Sequence, residues 1–220
     1  MDSALLVSTY PVVYHMANAD AWESIRVHGL LSTTALLDLF QVSGQRRDTI
    51  EGARRPNSVT ITHPALGSAV IRDNKPLSER KLLACLDDLS PAEYYRLLNR
   101  RVFFWLNQSR LDRLFQAQAY RGLAHLVLSV DTAELVSRHG DRITLSSINS
   151  GATIHNPPRR GATTFRTIED YDFALWKAKR SAQRAIAELA VDYSVPDIKD
   201  LTMRAAIRQP DGREEVLWSR

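Results

Sequence analysis

The run Ala185-Ile186-Ala187-Glu188-Leu189-Ala190-Val191 sets one carboxylate among six apolar residues. Apolar runs of this length, followed by a turn at Val195-Pro196, read as a strand. Burying an ionised carboxylate in such a strand is costly unless it is paired. Glu188 therefore either reaches solvent at the strand start or lines a site, and from the run alone edge exposure is the simpler reading.

The remaining pattern limits the scaffold that can carry this strand. Tyr10–His15 reads as an opening strand, and Asp20 with Glu23 reads as a capping box for a helix ending at Gly29. Ser43 to Pro56, rich in Gly and Arg, reads as irregular. Ser78–Leu86 and the segment after Ser90-Pro91-Ala92-Glu93 read as capped helices. Arg101–Trp105 and His125–Val130 read as strands, with a helix through Leu111, Leu114 and Phe115 between them. Asp131 caps a short helix that ends at Gly140. Ile143 to Trp176 reads as irregular, followed by a basic helix around Trp176–Arg180. Two final extended runs, Thr202–Arg208 and Glu214–Trp218, flank the turn Pro210-Asp211-Gly212. Strands and helices mix without strict alternation, which favours an α+β fold over a doubly wound sheet. With no repeat, low-complexity tract or Ser/Gly linker, residues 1–220 read as one domain.

Composition excludes several classes. Hydrophobic content of 44% and charged content of 25% are those of a folded globular chain, not a disordered one. No apolar run approaches the roughly 18 residues of a spanning helix, so no membrane partner is expected. Met1-Asp2-Ser3-Ala4 lacks the basic start of a secretory leader. The single Cys85 argues for a reducing, cytoplasmic setting. Phosphate-binding GxxxxGK[ST] and GxGxxG loops, GxSxG and zinc spacings are all missing, so no metal is expected. Lys+Arg exceed Asp+Glu by 29 to 25, and 24 of the cations are Arg. Guanidinium groups bind phosphate bidentately and stack on bases.

Three pieces carry chemistry: Tyr14-His15-Met16-Ala17 before Trp22-Glu23-Ser24-Ile25 and Gly29-Leu30; Val102-Phe103-Phe104-Trp105; and Ala187-Glu188-Leu189-Ala190-Val191 before Val195-Pro196-Asp197-Ile198. In this order, and with Leu126–Leu135 between the last two, they resemble the ADP-ribosyltransferase superfamily. The similarity is nearest to the DarT-like branch, whose toxins modify DNA, and it runs from about residue 12 to 202. The Val102–Trp105 and Asn149-Ser150-Gly151 segments also resemble those of a bacterial subfamily.

The resemblance implies a split β-sheet core with flanking helices, NAD as substrate, and ADP-ribose transfer to an acceptor. It implies that Glu188 is catalytic, and that His15, Tyr14, Ala17, Gly29, Phe103 and Trp105 hold NAD. Strand alternation puts Phe103 and Trp105 on one face and Phe104 on the other, so one set alone can line a pocket. An Arg from the loop between the first helix and the middle strands is expected to contact the cofactor phosphates or the acceptor: Arg47 is the choice, acting with Glu188, with Arg46, Arg55, Asn149 and Ser150 on the acceptor side. Arg159 and Arg160 form a second basic loop beside the same cleft. The resemblance implies a nucleic-acid acceptor, DNA before RNA, and a toxin with a cognate antitoxin. Alternatives are a transferase acting on protein or a small molecule, a non-catalytic NAD- or nucleic-acid-binding module, and an NAD-dependent RNA-repair phosphotransferase. Ala17 departs from the family's Thr two residues after the His, which removes a hydroxyl from the NAD site; Asn18 follows it.

Overall fold

Twelve strands of two to seven residues build the sheets. They are β1 (Val12–Asn18), β2 (Leu30–Leu31), β3 (Val59–His63), β4 (Gly67–Ile71), β5 (Arg101–Phe104) and β6 (His125–Asp131), then β7 (Ile143–Ser146), β8 (Arg166–Thr167), β9 (Glu188–Asp192), β10 (Ser194–Val195), β11 (Thr202–Arg208) and β12 (Glu214–Ser219). The computed structural model describes all residues from Met1 to Arg220. Two four-stranded sheets, ordered β1-β6-β11-β12 and β5-β9-β7-β8, form the centre, and β2 with β10 and β3 with β4 make two-stranded pairs. Every strand pair is antiparallel. The fold is mixed α/β and compact.

The apolar runs explain which strands are central. β6 lies between β1 and β11, with Leu126, Leu128 and Val130 inaccessible to solvent. β9 lies between β5 and β7, and its Leu189 and Val191 enter the same core of 26 buried residues as Val102, Phe104 and Leu145. Burying that many apolar side chains, each contributing roughly 1.5–3 kcal/mol, joins the two sheets. Around them pack short helices whose ends follow the capping rules. Ser90 and Glu93 close a reciprocal capping box on the Pro91–Asn99 helix. Asp131 accepts from the amides of Ala133 at 3.0 Å and Glu134 at 3.2 Å.

Four segments differ from the sequence reading. Asp20 caps nothing: it lies inside a 3-10 turn, Ala19–Ala21, whose cap is Asn18, and the helix begins at Trp22. Gly44–Gly52 is a helix, not irregular chain, and buries only Ile50 and Glu51. Ile143–Ser146 is an inner strand of the second sheet. The β3–β4 hairpin, with Ile61 and Ile71 packed on Leu37, Phe40 and Ile50, forms a small core of its own.

Candidate active site

Besides the shared core, a backbone bridge between one pair of residues ties the two central sheets. The Tyr14 amide donates to the Trp105 carbonyl and the Trp105 amide to the Tyr14 carbonyl, each at 2.8 Å. One residue further along β1 the strands have parted, and the His15 ring spans the gap to the Phe103 carbonyl at 2.8 Å. A carbonyl only accepts, so Nδ1 carries the hydrogen and Nε2 keeps a free lone pair. Burial pushes the His15 pKa down to about 4, and the Arg72 charge adds to this. His15 is thus a neutral acceptor at physiological pH, braced edge-on by Phe104 with ring centroids 5.8 Å apart.

Glu188 is the first residue of β9, opposite Ser146 on β7. It is 4% exposed, which decides between the two sequence readings: the carboxylate is not at a solvated edge. The Ser150 amide donates to its Oε2 at 3.1 Å. Burial raises its pKa to about 7, against the pull of Ser150, Arg110 and Arg160. At neutral pH the group is divided between its two protonation states.

His15 and Glu188 line one cleft of about 1220 Å³, together with Ala17, Gly29, Arg55, Phe103, Trp105, Asn149 and Ser150. Alternation resolves the aromatic set: Phe103 and Trp105 face the cleft, while Phe104 is fully buried in the core. Gly29 serves by its backbone. Its φ of 82° lies in the left-handed region, and a Cβ there would stand 2.6 Å from the Pro196 Cα. Asn18 also borders the cleft, with its side-chain oxygen accepting from the Asp20 amide at 3.0 Å.

Three expected residues lie elsewhere. Tyr14 is not on the cleft; alternation along β1 turns its ring into the cluster of Met16, Leu111, Phe115, Tyr120 and Val127. Arg47 is held on its own helix, paired with Glu51 at 2.8 Å and with Asp38 at 2.5 Å, away from the cleft. Arg46 is exposed and donates to the Thr60 carbonyl at 3.2 Å. Arg55 reaches the cleft wall but is largely spent: it donates to Asn99 at 2.9 Å, to the Arg72 carbonyl at 3.2 Å and to the Ile50 carbonyl.

The cations that do border the cleft besides Arg55 are Arg72, Lys75, Arg101, Arg110 and Arg113, against the acids Asp20, Asp73 and Glu188. Arg72 stacks 4.5 Å above the Tyr120 ring and donates to the Met16 carbonyl. Arg101 and Arg110 each bury an Nε without a hydrogen-bond partner, but Arg101 donates to the Leu97 carbonyl at 2.5 Å and stacks over the Phe165 ring, whereas the Arg110 guanidinium makes no hydrogen bond or ion pair. A sequence signal for it exists. On the Gln108–Phe115 helix, Leu111 and Phe115 are buried while Arg110 and Arg113, three apart, share another side.

Residues 11–202 match a family described as a family of unknown function, DUF7002. The chain belongs to this family. The DUF7002 match begins just before β1 and ends at the first residue of β11, so it takes in every cleft residue named above. Among curated proteins no match was found. No helix of this DUF7002 member is long and apolar enough to cross a membrane.

Proposed function

We propose that the chain is an NAD-dependent ADP-ribosyltransferase built on a split-sheet core, with a nucleic-acid acceptor. The single observation that supports this best is the meeting of His15 and Glu188 on one cleft, at the parting of two antiparallel sheets. The reaction breaks the bond between the nicotinamide nitrogen and ribose C1′, and nicotinamide leaves with the electron pair. The acceptor then forms a bond to C1′ and gives up its proton. The ribose passes through an oxocarbenium-like state, which an ionised carboxylate beside it stabilises. Glu188 supplies that carboxylate. His15 Nε2 accepts from a ribose hydroxyl and fixes the substrate's pose. Phe103 and Trp105 offer aromatic surface to the nicotinamide, and Arg110 takes the phosphate role expected of Arg47.

The surface beside Glu188 favours a polyanionic acceptor. Arg110 and Arg113 on the Gln108–Phe115 helix, and Lys177, Lys179, Arg180 and Arg184 on the segment leading into β9, form no ion pair. Arg113 and Arg180 lie close enough to Arg110 to disfavour its charge. Arg180 and Lys179 flank the Trp176 ring, at 4.5 and 5.2 Å from its centroid. Unpaired cations beside a half-buried aromatic suit a single-stranded backbone and its bases.

Ala17 favours a second reading, a non-catalytic module with the same binding site. Incubation with NAD and a mixture of DNA, RNA and protein separates the two. Nicotinamide release that Glu188→Gln lowers by on the order of 10²–10⁴ supports the enzyme. NAD binding with no release supports the module, and label appearing on protein alone removes the nucleic-acid acceptor. Growth arrest on expression that requires Glu188 would add the toxin role and give reason to seek an antitoxin.

A further inference from the structure

Arg160 is 2% exposed, yet it has no carboxylate partner within ion-pair distance. A buried cation left this way costs several kcal/mol unless its surroundings compensate. Its hydrogen bonds show where it is directed. Nη1 donates to the Ser150 carbonyl at 2.9 Å and Nε to the Pro158 carbonyl at 3.2 Å, while Nη2 has no partner. The Tyr94 hydroxyl donates to the same Ser150 carbonyl at 3.1 Å. Ser150 is thereby gripped at both backbone groups, its carbonyl by Arg160 and Tyr94, its amide by Glu188. Arg160 itself is anchored: its amide donates to the Cys85 carbonyl and its carbonyl accepts from the Asp87 amide, both at 2.9 Å. A continuous set of bonds runs from the Cys85–Asp87 segment through Arg160 and Ser150 to the carboxylate.

We propose that Arg160 is a positioning residue for Glu188, clamping the Ser150 turn so that its amide meets the carboxylate. It never touches substrate. This rests on the reading of Glu188 as the catalytic carboxylate, although the clamp itself does not depend on turnover. The Arg160 charge also draws the Glu188 pKa down, less than Ser150 and Arg110 do. The groups that face Glu188 are Arg110 from the Gln108–Phe115 helix, Tyr94 from the Pro91–Asn99 helix, Arg160 from its loop and His15 across the cleft. Arg110 remains when Arg160 is replaced, so the loss is partial.

The test is titration of the Glu188 carboxyl by carbon-13 NMR in wild type, Arg160→Met, Arg160→Lys and Tyr94→Phe, alongside the pH profile of nicotinamide release. Removing the cation and its bond should move the Glu188 midpoint up by about one pH unit in Arg160→Met. Arg160→Lys, which keeps the charge, should restore most of the shift, and Tyr94→Phe should give a smaller upward one. The pH profile should move in step. A Glu188 midpoint unchanged in Arg160→Met overturns the clamp, as does Arg160→Lys behaving like Met. If Arg160→Met does not fold, an unshifted midpoint in Tyr94→Phe overturns it equally. A shifted midpoint in a chain that releases no nicotinamide refutes the transferase reading and leaves the clamp standing.

Discussion

The His15 ring donates to the Phe103 carbonyl at 2.8 Å across the point where β1 and β5 separate. This bond fixes the tautomer and leaves Nε2 as an acceptor, so a cationic His15 has no part in the site above pH 5 or so. His15→Phe should therefore weaken NAD binding, raising KM by roughly tenfold, the loss of about one hydrogen bond with its orientation. The rate at saturating NAD and its pH profile above pH 5 should change less. A profile that gains or loses a limb near pH 6 in this variant would contradict the neutral assignment.

Glu188 makes a prediction of opposite sign in stability and activity. Its folded pKa, raised to about 7 from 4.5, means that the folded chain holds this proton more tightly than the unfolded one. The stability it contributes is present below about pH 4.5 and is lost as pH rises through 7. Nicotinamide release should instead rise with pH through the same range as the carboxylate ionises. Glu188→Gln should abolish that rise and, at pH 8, stabilise the fold by on the order of 2–3 kcal/mol relative to wild type. Thermal denaturation at pH 5 and pH 8 checks this; the gain should shrink at the lower pH. His15 works the other way, since its lowered pKa makes the fold more stable as pH rises from about 4 to 6.5. The two contributions offset one another in wild type and separate only in the single variants.

Arg47 and Arg110 should behave as opposites. Arg47→Ala breaks partly exposed pairs with Asp38 and Glu51, for a loss of about 1 kcal/mol in stability, and should leave nicotinamide release intact. Arg110→Ala removes a cleft arginine whose guanidinium has a buried, unpartnered Nε and, unlike that of Arg101, no hydrogen bond elsewhere. It should lower kcat/KM for NAD by about tenfold or more, with little change in Tm. Melting curves and initial rates on both variants provide the check.

Gly29→Ala should destabilise the chain by roughly 1–3 kcal/mol, because φ of 82° disfavours a side chain and the Pro196 backbone occupies its place. Lowered Tm and weakened NAD binding are expected together, since Gly29 borders the cleft and its close approach seats the β2–β10 pair.

Much of the frame was legible where a local rule had a single solution. The apolar runs of β6 and β9, the Ser90–Glu93 box and the Gly212 hairpin each admit one reading, and the folded chain adopts them. The Gly44–Gly52 helix gave no such signal, because it buries only Ile50 and Glu51 and so lacks an apolar stripe. β7, four residues long, offers too short a run to distinguish from loop. The cleft was legible through Glu188, whose apolar neighbours forced the question of its partner. The choice among arginines was not. Arg46, Arg47, Arg54 and Arg55 crowd together in sequence, yet Arg47 meets acids, and Arg54 donates to the Leu77 carbonyl at 2.6 Å. Crowding along the chain measures how many guanidinium groups are present, and only tertiary contacts reveal which one is left unused.

The parting of β1 and β5 has a consequence for how this site can vary. One face of β5 lines the cleft and the other enters the core, so which aromatic ring faces the cleft is a matter of counting. One residue inserted between Phe104 and Trp105 would leave the bridge closed but turn the preceding strand over. Phe104 would then face the cleft and Phe103 the core, with the backbone path barely altered. Along this strand, insertion and deletion rather than substitution are the quickest route to a different pocket.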